Sequence, residues 1–178
     1  MAISNNSTGL RPGVCTSTTR PTAPYEGQMI YETDTDKVLV WNGTAWYANW
    51  NLPWGQVVYA QVTSSDSSIT TEETQITASA FTAIANRYYR VTYFEPRLYG
   101  SAAANMTMKI KNGATILNRC DVACLTTQEQ QGTDIYVGTF TAGSITLTAT
   151  LTYGSGTGTA ARAATEIAFL LVEDIGAS

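Results

Sequence analysis

Hydrophobic and polar positions alternate most tightly between residues 24 and 54, in three short runs broken by two turn signals. In the first run, 28–32, a period of two puts Met29 and Tyr31 on one face and Ile30 on the other. In the second, 37–41, it sets Lys37, Leu39 and Trp41 against Val38 and Val40. Thr33-Asp34-Thr35-Asp36 separates these two, and Asn42-Gly43 precedes a third run over 44–47. Asn-Gly between β-rich runs signals a hairpin, since a type I′ turn requires positive φ at both central residues. The pattern predicts a three-stranded meander with large apolar groups on both faces. A sheet of that size is marginal alone. Full burial of each large side chain would contribute about 1.5–3 kcal/mol that a lone hairpin cannot collect. The meander is therefore expected to need a covering surface, from its own chain, from sister copies or from another protein.

Residues 1–23 are polar, rich in Ser and Thr and punctuated by Gly9, Pro12, Gly13 and Pro21. They cannot bury enough apolar surface to offset their own ordering, so they read as an extended arm that only another surface would order. Trp50, Pro53, Trp54 and Gly55 mark a junction, where Pro53 limits ladder bonding and Gly55 permits a sharp redirection. Three segments result: an arm over 1–23, a meander over 24–54 and a third segment over 55–178.

That third segment reads as strands and turns. Strands are expected over 56–63, 74–78, 87–96, 105–111, 114–122, 134–141, 144–153 and 165–174, with a short helix over 79–86. Ile145, Leu147, Ala149, Leu151 and Tyr153 alternate with threonines, the mark of a half-buried strand with a threonine outer face. Residues 167–172 are apolar on both sides, which fits a central strand buried once in its own core and once against a neighbouring subunit. The segment 154–158, Gly-Ser-Gly-Thr-Gly, reads as a flexible hairpin loop. Eight strands predict an all-β fold with a jelly-roll-like antiparallel β-sandwich. An immunoglobulin-like sandwich is the second choice, because its Cys, Trp, Cys spacing is missing.

Only 13% of the 178 residues are charged, about half the usual share of roughly 25%, so the surface must be covered by Thr, Ser, Asn, Gln and Gly. That suits β-rich assembly proteins whose faces lie against one another. A net charge of −4 and a pI near 4.7 argue against a nucleic-acid partner, which needs clustered Lys and Arg. No apolar run of about 18 residues predicts a membrane span, and residues 1–8 lack a signal peptide's charged and apolar regions, so synthesis in a cytoplasm is expected. Cys15, Cys120 and Cys124 are odd in number. On a strand Cys120 and Cys124 lie about 13 Å apart, too far to bridge, and all three read as small buried apolar groups.

Chemistry is sparse. The absence of histidine removes the commonest general base and the usual activator of Ser or Cys. Three carboxylate clusters remain, Glu72-Glu73, Asp34 with Asp36, and Glu173-Asp174, each with a structural explanation as loop, turn or strand end. The loop at 154–158 lacks the lysine and helix of a phosphate cradle. Thr33-Asp34-Thr35-Asp36 offers too few carboxylates for calcium. No catalytic, cofactor-binding or metal-ligating residue is assigned, and no cofactor is expected.

One resemblance adds to this reading. Arg20-Pro21, Pro24, Glu26-Gly27, Ile30-Tyr31-Glu32-Thr33-Asp34-Thr35, Trp41, Gly43 and Trp46 resemble a module recurring near the N-termini of tailed-bacteriophage virion proteins, among them fibre, collar, minor tail and head-decoration proteins. More loosely, Tyr89-Arg90-Val91-Thr92-Tyr93, the run from Ala142 to Leu147, Gly156 to Thr159 and Leu170 to Gly176 are similar to small phage surface domains. The resemblance implies a non-enzymatic virion component on the particle exterior. It would be a homotrimeric capsid decoration or minor capsid protein, partnered by itself and by major capsid or tail proteins, with a minor tail or short tail-fibre protein as the alternative. Met29, Tyr31, Trp41, Trp46, Trp50 and Trp54 are the expected interface and attachment residues. A sugar-stacking platform on the tryptophans, for a host-surface glycan, is the competing reading.

Overall fold

The computed structural model describes residues 12–48, 54–126 and 128–178. It divides into two compact units, Met1–Leu52 and Pro53–Ser178, and among the described residues there is no helix.

Unit 1 is a four-stranded sheet of β1 (Gly13–Cys15), β2 (Met29–Glu32), β3 (Lys37–Trp41) and β4 (Trp46–Ala48), in that order. The last three form the expected meander. The addition is β1, drawn from the predicted arm and laid parallel to β2, with Val14 opposite Tyr31. Its polar continuation is held by hydrogen bonds rather than apolar burial: the Ser17 N–H donates to Asp34 Oδ1 at 2.8 Å and the Thr33 N–H to the Cys15 carbonyl at 3.0 Å. Arg20 reaches Glu32, a carboxylate only 1% exposed, which also accepts the Thr35 hydroxyl at 2.7 Å.

The hairpin at Asn42-Gly43 departs from the expected two-residue turn. Trp41 pairs directly with Trp46, which leaves a four-residue loop. Within it only Gly43 takes positive φ, at 91°. Asn42 acts through its side chain instead, its Oδ1 accepting the N–H groups of Thr44 at 3.0 Å and Ala45 at 2.8 Å.

Unit 2 contains β5 (Gly55–Val62), β6 (Asp66–Ile69), β7 (Glu73–Thr77), β8 (Phe81–Ala83), β9 (Arg87–Gly100), β10 (Ala104–Asn112), β11 (Thr115–Cys124), β12 (Gln130–Thr139), β13 (Gly143–Ile145), β14 (Leu147–Tyr153), β15 (Gly158–Ala161) and β16 (Ala168–Ala177). Its two principal sheets have four main strands each, β5-β16-β9-β12 and β7-β14-β10-β11, and the first also holds β15, paired with β9, and β6, paired with β15. If the eight main strands are counted in chain order, the first pairs with the eighth, the second with the seventh, the third with the sixth and the fourth with the fifth. That is one long antiparallel ribbon folded over on itself, the jelly roll expected from the strand count. Leu170, Val172, Val91 and Tyr93 from one sheet and Met106, Met108, Ile110 and Leu151 from the other are fully buried between them.

Several local expectations are corrected. The segment read as a helix at 79–86 holds β8, paired with β13. Phe81 and Ala83 are buried while Thr82 is exposed, a period of two, and Phe81 packs on Tyr89 and Phe140 with ring centroids 5.8 and 6.1 Å away. β9 does not stop at Pro96. Gly132 pairs with Glu95 and Gln130 with Leu98, so Pro96 and Arg97 together face one residue of β12. The bulge absorbs the missing proline N–H. The strand expected over 144–153 is two strands, β13 and β14. The segment 154–158 ends in a strand, since Gly158 opens β15, and a Cβ there would stand 2.6 Å from Met106 Cε and 2.9 Å from Tyr153 Cβ. Close packing, not looseness, selects that glycine. Cys124 is buried, whereas Cys15 and Cys120 are half-buried, and all three are free thiols.

Candidate functional site

The sheet of unit 1 has two unlike faces. Ile30, Leu39 and Glu32 on one are 1%, 4% and 1% exposed. On the other, the ladder register lines up Val14, Tyr31 and Val38 in one cross-strand row and Met29, Val40 and Tyr47 in the next. Val14 is 58% exposed, and Met29, Val38, Val40 and Tyr47 lie between 36% and 41%. The two rows, each over three of the four strands, are thus apolar, with Tyr31 half-buried and the other five residues exposed. Isolated exposed apolar residues are normal, whereas contiguous apolar patches beyond several hundred Å² are in general interaction sites.

The residues expected to form the interface do not share one face. Met29 and Tyr31 belong to the open one. Trp41 and Trp46 lie on the opposite side, half-buried, with their rings edge to face at 5.5 Å. Trp50 lies outside the described residues. Trp54 falls in unit 2, 47% exposed, with the Arg87 guanidinium 3.6 Å from its ring centroid. The sequence reading named neither Val38, Val40 and Tyr47 nor Val14 as interface residues. Alternation put the two valines on one side of their own strand, but nothing in it told which side Met29 and Tyr31 would share or which face would be covered.

Each carboxylate cluster is engaged. Asp34 holds Ser17, and Asp36, at φ 52°, accepts the Tyr31 hydroxyl at 2.7 Å. Glu72 bridges Lys109 and Lys111 on the outer side of the β7-β14-β10-β11 sheet, and these ammonium groups lower its carboxyl pKa to about 2. They stand beside an open depression of about 470 Å³ lined by Glu72, Glu73, Lys111 and threonines. Burial, followed by the nearby Asp66, raises the Glu73 carboxyl. Glu173 pairs with Arg90 at 2.7 Å. Asp174 is fully buried against Arg87; burial alone would raise its carboxyl, but Arg87 and the N–H groups of Trp54 and Gly176 hold it below the ordinary value. Among the described residues no group of three or more Cys, Asp or Glu side chains is placed to hold a metal ion.

The sequence reading also missed an ionic cluster inside the sandwich. Arg162 and Glu95, 2% and 0% exposed at their side chains, meet at 2.6 Å. Glu95 accepts the Tyr93 hydroxyl at 2.5 Å and Arg162 donates to Gln75 at 2.7 Å. Every group in it is matched, so it locks strands together, and Arg162 and Gln75 also line an open depression of about 360 Å³ with Asp66 and neighbouring serines.

No protein-family model matches this chain, and no curated protein matches it either.

Proposed function

We propose that the chain is a non-enzymatic structural protein of a bacteriophage particle, a homotrimeric capsid decoration or minor capsid protein displayed on the exterior. The open apolar face of unit 1, with Met29, Tyr31, Val38 and Val40 at its centre, carries this reading. The face lies in the same segment that resembles the attachment modules of phage virion proteins, and it has the chemistry of a docking surface: aromatic and aliphatic groups with few charges. On this reading unit 1 docks onto the particle while the jelly roll of unit 2 projects from it. The reading takes the head as the attachment site, with a minor tail or short tail-fibre position as the alternative.

The test is incorporation. Particles assembled with Val40→Asp or Met29→Asp should lose the chain, because each substitution puts a charge on a surface that must be desolvated. Normal incorporation of both variants would count against docking through this face. Imaging of labelled particles separates head from tail, and density at the tail tip would replace the decoration reading with the tail-protein one.

A further inference from the structure

The two outer faces of the jelly roll differ in kind. On β7-β14-β10-β11 the outward rows carry Thr150, Lys109 and Arg119, with Lys111 beside Lys109 under the Glu72 carboxylate. That face is mostly polar, with Thr150 covered by Glu72 and Ile116 exposed among the charged groups. On β5-β16-β9-β12, Tyr59, Leu171, Thr92 and Ile135 form one row across all four strands. Phe169 lies between Tyr59 and Phe94, its ring centroid 5.8 and 5.3 Å from theirs. Tyr59, Ile135 and Val137 are 42%, 50% and 55% exposed.

We infer that this second face is the contact between copies of the chain. Three observations select a second copy as occupant. The Arg90–Glu173 pair, in the row with Val137, is satisfied within the chain, so the face offers a strongly acidic or basic partner no unmatched charge to read. An identical copy of a chain with net charge −4 meets such a neutral face without like-charge conflict. The size fits as well. Four strands about 4.8 Å apart and some seven residues long project roughly 450 Å². Side chains standing off the sheet bring the accessible area toward the roughly 800 Å² per partner of a stable interface. Finally, stacked aromatic rings with aliphatic neighbours are the composition of an interface centre. The inference deepens the assembly reading by naming the contact within the oligomer, and its failure would leave docking through unit 1 untouched.

Light scattering on the purified full chain reads the outcome directly. The wild type should run at a multiple of 19.1 kDa, and Tyr59→Lys with Ile135→Lys should bring it to the single-chain mass, weakening association at least about 100-fold, with an unchanged circular dichroism spectrum. Ile116→Lys, at a residue 50% exposed on the opposite outer face, should keep the assembly. A monomeric wild type at about 50 μM, a double variant of unchanged mass, or equal dissociation by Ile116→Lys would each overturn the assignment. Hydrogen exchange of the wild type adds a readout free of substitutions. Amides of β5, β16 and β12 should exchange more slowly at high concentration than on dilution while those of β11 do not change, and equal rates throughout would also overturn it.

Discussion

Arg162 and Glu95 face each other inside the sandwich as a two-pronged pair, Nη2 to Oε1 at 2.6 Å and Nε to Oε2 at 2.9 Å. Tyr93, Gln75 and the Ser64 carbonyl add further hydrogen bonds to the two groups. A buried pair gains little over apolar residues of equal volume, but removal of one member strands the other charge in a poor solvent. Glu95→Gln should therefore lower unfolding free energy by about 3 kcal/mol, measured by urea denaturation. Combining Glu95→Met with Arg162→Met should recover most of that loss. A double variant as unstable as the single one would show that the pair contributes stability of its own.

Asp134 is the opposite case, a carboxylate buried without adequate partners. It is 1% exposed; Oδ1 accepts from the Asn118 amide at 2.6 Å, while Oδ2 has no hydrogen-bond partner. Burial pushes its pKa up, with the Asn118 amide and the backbone N–H groups of Ile135 and Ile110 opposing. A raised folded-state pKa means that the folded chain binds the proton more tightly than the unfolded chain. Stability from this group is thus fully present below the unfolded pKa and is lost as pH rises through the folded value. Asp134→Asn should stabilise the chain at pH 7 by about 1–2 kcal/mol, and the difference should shrink toward zero in acid. Thermal melts of both proteins across pH 3–8, a range chosen to cover the ordinary carboxylate values, provide the check.

Glu72 has the reverse sign. Lys109 and Lys111 lower its pKa from 4.5 to about 2, so its contribution is present above the unfolded pKa and disappears as pH falls from about 4.5 to about 2. The side chain is 31% exposed, and solvent screening reduces the effect to about 0.5–1 kcal/mol. Glu72→Gln should show that loss at pH 7 in low salt and less of it in about 1 M salt, where the Debye length is near 3 Å.

How much of this was legible beforehand depends on how local the determinant was. The threonine alternation of β14 announced its buried face because every second residue meets the core. Eight strands were enough to suggest the roll. Contacts between distant residues left no local mark: the carboxylate paired with Arg162 comes from β9, and no spacing rule links two positions joined only by the folded topology. The 79–86 segment was misread because its small residues permit a helix, whereas the burial of Phe81 against Tyr89 and Phe140 decides for a strand. In unit 1 the alternation separated Met29 and Tyr31 from Ile30, yet grouping them with Trp41 and Trp46 as one interface ignored that alternation. The tryptophans lie on the Ile30 side, so bulk alone was a poor guide to which aromatics remain open.

That division of faces yields the sharpest test of unit 1, because neighbours in β3 should respond differently to the same substitution. Leu39 is 4% exposed and pairs with Ile30, whereas Val40 is 36% exposed and pairs with Met29. Aspartate at position 39 would place an unpaired charge in a buried row and should destabilise the sheet by more than about 3 kcal/mol. Limited proteolysis of the full chain would then cut within residues 12–48. Aspartate at position 40 places its charge in water in the free chain, so the cleavage pattern should match the wild type while incorporation into particles falls. Equal protease sensitivity of the two variants would mean that Val40 supports the fold of unit 1. The open face would then lose its claim to be a docking surface.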